Sequence, residues 1–260
     1  MQTTSAWTRA IGWGLAVLST YGLLGGLLGC GPSPQLRAKA NEQYRVAQQY
    51  LGNQSYILAE QEIRKALALS PQEPRYFELL ALIHQADGRL KHADEAYRAA
   101  LQQPDAPPSV LVNYSSLLLQ RERYDKAIAF AQQALQDPQY GKQALAHTNI
   151  GLAYFKKGAF LKAEAHFRSA LDYQSSLAEA HHNLGLVYAR SGKRAPAILS
   201  FREAIRFQPA YTEAYASLGQ LLAQDGHTDE ARDAFERVID LSPNSDLAVA
   251  SRRQLKRLAP

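Results

Sequence analysis

The residues that could do chemistry are few, and their spacing is poor for catalysis. Seven histidines and a single cysteine stand among 260 residues. His181 and His182 form the one adjacent histidine pair. Neighbouring helical residues point about 100° apart, so the two rings cannot easily share a metal. His84 lies where the surrounding pattern asks for a bulky packing residue, which gives it a core role rather than a ligand role. No HExxH, no CxxC and no glycine-rich phosphate loop occurs. The expectation is a protein that is not an enzyme and holds no metal or dissociable cofactor. What chemistry remains belongs to Cys30, which sits in GLLGGLLGCGPSP between an apolar run and a proline-rich stretch. One thiol cannot close an internal disulfide, so its position is the clue to its use.

That position carries a resemblance. Residues 1–10 hold one charged side chain, Arg9, and residues 11–28, IGWGLAVLSTYGLLGGLL, hold none. These are the n-region and h-region of an export signal. Five glycines within the run argue against a stable membrane-spanning helix. Leu27-Leu28-Gly29-Cys30 resembles the lipobox of bacterial lipoproteins, with leucine at −3, a small residue at −1 and cysteine at +1. The resemblance implies cleavage before Cys30 and a covalent lipid on it, which converts a spanning segment into an anchor. Glycine rather than aspartate at position 31 implies the outer membrane, facing the periplasm. The expected organisation is a signal peptide over 1–29 and the lipidated cysteine with a Pro/Ser linker over 30–39. A repeat array over 40–245 and a capping helix with tail over 246–260 follow.

The array rests on a 34-residue period. His147-x2-Ile150-Gly151-x2-Tyr154, Gly158, Ala163-x3-Phe167 and Ala170 is followed by His181-x2-Leu184-Gly185-x2-Tyr188, Gly192, Ala197-x3-Phe201, Ala204 and Pro209. Tyr215-x2-Leu218-Gly219-x2-Leu222, Gly226, Ala231-x3-Phe235, Val238 and Pro243 repeats it again. This resembles the tetratricopeptide repeat, a helix–turn–helix unit. Small residues at places 8 and 20 let the two helices of a unit approach; bulky ones at 7, 11 and 24 fill the space between them. Weaker copies precede these, and the third is two residues longer, through DPQYGKQ. Six repeats are expected, starting near 40, 74, 108, 144, 178 and 212. The fold expected is all-α: a right-handed superhelical solenoid whose last repeat is covered by Leu247, Ala250, Leu255 and Leu258.

Composition leaves a binding function. Twenty-nine basic and 24 acidic side chains alternate along most of the chain, which describes a solvated surface and not a nucleic-acid stripe. Arg252, Arg253, Lys256 and Arg257 at the end offer contact to an acidic partner or an anionic surface, and are accounted for more simply as complementing a helix C-terminus. In proteins with this repeat, ligands usually lie along the first helix of each unit, at places 2, 5, 6, 9, 12 and 13. Those places here include Tyr44, Leu82, Val112, Leu119, Leu152, Phe155, His182 and Leu186, with Asn113, Asn149 and Asn183 recurring at place 6. The expectation is an apolar peptide-binding groove across repeats three to five, with an amide ladder for an extended backbone. Place 5 holds no lysine or arginine, which disfavours repeats that clamp a chain-terminal carboxylate.

VLVNYSSLLLQRERYDKAI followed by DPQYGKQALAHTNIGLAY, with its extended third repeat, resembles the pilotins of type IV pili, the PilF, PilW and Tgl group. That resemblance implies a secretin subunit, or another envelope protein, as partner, with membrane attachment through the lipid and no nucleic acid. The alternative is a periplasmic adaptor for a different envelope complex.

Overall fold

A computed structural model describes residues 31–137 and 140–258. Cys30 and the apolar run before it lie outside the described residues. Among those described there are thirteen helices and no strand, and no helix is long and apolar enough to cross a membrane. They alternate as six antiparallel hairpins plus a final helix. The first helices of the hairpins are α1 (Pro34–Gly52), α3 (Pro74–Ala86), α5 (Pro108–Gln120), α7 (Gln143–Lys156), α9 (Ala178–Arg190) and α11 (Thr212–Gln224). Their partners are α2 (Tyr56–Leu69), α4 (Leu90–Leu101), α6 (Tyr124–Ala134), α8 (Phe160–Tyr173), α10 (Arg194–Phe207) and α12 (Thr228–Leu241), and α13 (Asp246–Arg257) closes the array. The hairpins stack as a right-handed superhelical solenoid, with odd-numbered helices lining the concave side. Helices α2 to α12 begin within a residue or two of where the period places them.

α1 departs from the expected boundaries. It starts at Pro34 rather than near 40, because Pro34 occupies the first helical turn and the Ser33 hydroxyl accepts the Leu36 N–H at 3.3 Å. Residues 34–39 of the expected linker are therefore the first turns of α1, with Ser33 as their cap. The back of this first repeat is polar. Glu42 and Gln49 are exposed where the same places in the next repeat put the buried Tyr76 and Ile83. A terminal unit needs such a face, since no neighbour covers it.

Each hairpin closes through the small-residue places. The rings of Phe167 and Phe201 lie so close to Gly151 and Gly185 that an added Cβ would fall 2.7 and 2.6 Å from them. Place 15 ends the first helix in the left-handed region. Gly88, Gly158, Gly192 and Gly226 have φ of 74–80°, and Gln54 and Glu122 adopt the same conformation at φ 59° and 57°. The sequence pattern does not reveal those two, because they lack the glycine that marks the turn.

Adjacent repeats are tied by charge as well as apolar contact. Asp94 of α4, buried, accepts from Tyr114 Oη of α5 at 2.9 Å and pairs with Arg121 at 2.7 Å beyond the end of α5. Glu60 pairs with Arg89 at 2.7 Å, and Glu164 with Lys193 at 3.2 Å, across the equivalent joints. In the long third connection Tyr140 is buried against Ala131, Ala134 and their neighbours. At the far end Ser245 Oγ accepts the Ala248 N–H at 3.1 Å and sets the register of α13. Ala248 and Ser251 face inward beside Leu255 and Leu258, while Ala250, expected to cover the last repeat, is exposed.

Candidate functional site: the concave groove

The groove floor is built from the odd-numbered helices, and the structure divides the expected residues into two groups. Val112 and Asn149 are not available to a ligand. Val112 is 1% exposed, beneath the joint between α5 and α7. Asn149 Nδ2 donates to the Val112 carbonyl at 3.0 Å and to Ser115 Oγ at 2.7 Å, so its amide holds repeats three and four together. His182 is likewise turned into a joint. Its Nε2 lies 3.1 Å from Ser217 Oγ, its Nδ1 3.4 Å from Tyr211 Oη, and its ring packs on Phe201. Burial holds its pKa below the usual histidine value, and the ring is neutral at pH 7.

The amide ladder is thereby broken. Asn113 Nδ2 donates to Glu78 Oε1 at 2.7 Å, and Ser109 Oγ donates to the same carboxylate at 3.3 Å. Burial raises the Glu78 pKa against these two donors. Asn183 is 8% exposed, yet its side-chain amide has no hydrogen-bond partner among the described residues. Of the three, only Asn183 keeps its amide for an incoming chain.

Tyr44, Leu82, Leu119, Leu152, Phe155 and Leu186 are half-buried, each packed on the core with part of its surface left to the groove. They form an apolar floor, not an exposed patch. The Tyr44 ring lies 5.3 Å from that of Tyr76, tilted by 35°, and its hydroxyl accepts from Gln48 Nε2 at 3.1 Å.

The open volume lies further along than the sequence implies. A concavity of about 420 Å³ sits between α9 and α11, walled by Leu186, Ala189, Phe201, Ser217 and Leu221. A second of about 410 Å³ continues between α11 and α13, and Gln220 and Gln224 line both. Gln254 and Arg257 of α13 close the far wall. Gln220 and Gln224 fall at places 9 and 13 of the sixth repeat, beyond the three repeats expected to form the floor, and Gln254 lies in the capping helix, outside the repeat phase. Together the two hollows make a channel with an apolar base and amide rims, suited to an extended peptide whose backbone needs donors and acceptors. A third hollow of about 430 Å³ lies at the other end, among Pro32, Arg37, Asn41, Arg75 and Tyr76. Among the described residues no three His, Cys, Asp or Glu side chains are grouped to hold a metal.

This helical-hairpin array defines the class of the molecule: the chain carries tetratricopeptide repeats. Two family profiles agree, one described as TPR repeat over residues 151–192 and one as tetratricopeptide repeat over 182–246. More particularly, the chain is similar to the type IV pilus assembly protein PilF of Pseudomonas aeruginosa. Identity is 28% over 162 residues, which cover 60% of this chain and 64% of that relative's length.

Among solved structures, Pseudomonas aeruginosa PilF superposes with a TM-score of 0.72 at 20% identity, covering 85% of this chain and 99% of that one. PilW, described as a widely conserved type IV pilus biogenesis factor, gives 0.74 at 23%, covering 81% and 97%. The Cut9–Hcn1 assembly of the APC/C gives 0.73 at 19%, covering 85% of this chain and 43% of that one. Such similar scores for unrelated roles show that these superpositions speak for the fold alone.

Proposed function

We propose that the chain is a non-enzymatic scaffold of type IV pilus biogenesis, anchored to the outer membrane through a lipid on Cys30. In this reading its groove holds a segment of a secretin subunit during localisation and assembly. The observation that carries the reading is the sequence similarity to PilF, which extends over 162 residues at 28% identity. The groove supports it: a channel of apolar base and glutamine rims has the means to bind a chain and none to transform it.

The mechanism needs no chemistry beyond attachment. A partner held by an anchored scaffold is concentrated at one membrane, so its subunits meet at raised effective concentration. Replacing Cys30 by serine removes the anchor and leaves the repeats untouched. The expected result is loss of palmitate labelling together with secretin monomers that stay unassembled or collect in the wrong membrane. Normal heat-stable secretin multimers in cells carrying only Cys30→Ser would overturn the proposal.

A further inference from the structure

The charge of this protein is gathered where the sequence does not show it. The turns that join the two helices of a repeat lie along one edge of the solenoid. In repeats three, four and five they are residues 121–126, 156–162 and 190–194, which together hold nine basic side chains and two acidic ones. The remainder of the chain holds twenty basic and twenty-two acidic. The whole positive excess of the protein therefore sits on three turns. Contacts between them show that they adjoin in space: Lys157 bonds to Asp125 of the preceding turn, and Lys193 reaches Glu164 of α8. The next turn reverses sign, with Asp225, Asp229 and Glu230, and Arg194 pairs with Asp225 where the strip ends.

Helix physics accounts for only part of this arrangement. The second helices begin at these turns, and their amino ends favour acidic groups by about 0.3–1 kcal/mol each. α12 conforms, with Asp229 and Glu230 in its first turn. α6 sets Asp125 in its first turn beside Lys126, with Arg123 at its cap; α8 has Lys162, and α10 has Lys193 and Arg194, with no acidic residue in either first turn. Arg123, Lys126, Lys156 and Arg190 are exposed and have no ion-pair partner among the described residues. Lys156 and Arg190 complement the carboxyl ends of α7 and α9, whereas fold stability does not ask for Arg123 and Lys126.

We infer that the edge formed by the turns of repeats three to five is a docking surface for an acidic segment of a protein partner, separate from the groove. An anionic membrane is the other polyanion to consider, and the geometry disfavours it. Only three residues separate Cys30 from α1, a reach of roughly 14 Å. The turn edge lies at the opposite end of the hairpins, about 28 Å away along a 19-residue helix. The choice of protein over membrane rests on the anchored reading proposed above; the strip itself does not.

The test uses full-length protein in a neutral detergent and a fluorescent deca-glutamate peptide as probe. A second probe is dihexanoyl phosphatidylglycerol, an anionic lipid in monomeric form. Arg123→Gln/Lys126→Gln/Lys156→Gln removes three unpaired charges from the strip, and Arg252→Gln/Arg253→Gln/Lys256→Gln removes three from α13. The account expects the first triple to weaken peptide binding about tenfold and the second to leave it nearly unchanged, with affinity falling as salt rises. Circular dichroism and thermal midpoints of both variants should match the parent. No peptide binding, or equal weakening by the two triples, would overturn the inference. Displacement of the peptide by the lipid would overturn the assignment to a protein partner, while leaving the palmitate result for Cys30→Ser as an independent measure of anchoring.

Discussion

At the scale of single residues, position in the repeat and role in the molecule come apart. Asn113, Asn149 and Asn183 share place 6, yet one serves a carboxylate, one ties two helices and one is left without a partner. The shared place was legible in the sequence. The roles were not, because they depend on how closely α5 and α7 approach: the Val112 carbonyl and the Ser115 hydroxyl lie 37 and 34 residues upstream of the amide they receive. The division has a measurable consequence. Asn149→Ala takes the donor from the buried Ser115 hydroxyl and one donor from the Val112 carbonyl, which keeps the Ser115 O–H, and should cost about 1–3 kcal/mol in urea unfolding. Asn183→Ala breaks no hydrogen bond and should cost under about 1 kcal/mol. Equal losses for the two variants would refute the division of roles.

At the scale of elements, the pairing of glycine or alanine at place 8 with a large residue at place 24 made every hairpin but the third legible, since each contact is local and recurs in phase; the third sets Ser115 against Ala131. Boundaries set by caps were less so. α1 runs six residues further back than its repeat, and only the capping geometry of Ser33 and Pro34 accounts for this. Place 15 shows the same limit. Glu122 adopts a left-handed conformation that four of the other turns give to glycine. A side chain there is strained by about 1–2 kcal/mol, part of which is offset by the greater freedom of glycine in the unfolded chain. Glu122→Gly should therefore raise stability by about 0.5–1 kcal/mol, read as a higher urea midpoint at unchanged slope. Glu122→Ala, which keeps the Cβ, should bring no such gain. A Glu122→Gly variant no more stable than Glu122→Ala would show that the turn is not strained.

At the scale of the whole molecule, superposition turns a linear pattern into surfaces. Basic residues that alternate with acidic ones along the chain fall on one edge once the turns are stacked, and a reading of contiguous charge runs misses them because their spacing is a full repeat. The groove shifts in the same way. The floor expected across repeats three to five is half-buried by its own neighbours, and the open channel lies between α9, α11 and α13, where Gln220, Gln224 and Gln254 converge. In the proposed reading the two surfaces would give a scaffold two means of holding proteins, one by backbone hydrogen bonds in a channel and one by charge along an edge. Neither demands a catalytic group.

The central claim is that this channel holds an envelope partner. A photoreactive p-benzoylphenylalanine placed at Gln220, compared in cells with the same residue at Glu236 on the exposed side of α12, tests it most directly. The account predicts a covalent adduct with the secretin subunit from position 220 and none from position 236. An adduct from position 236 with none from position 220 would contradict it.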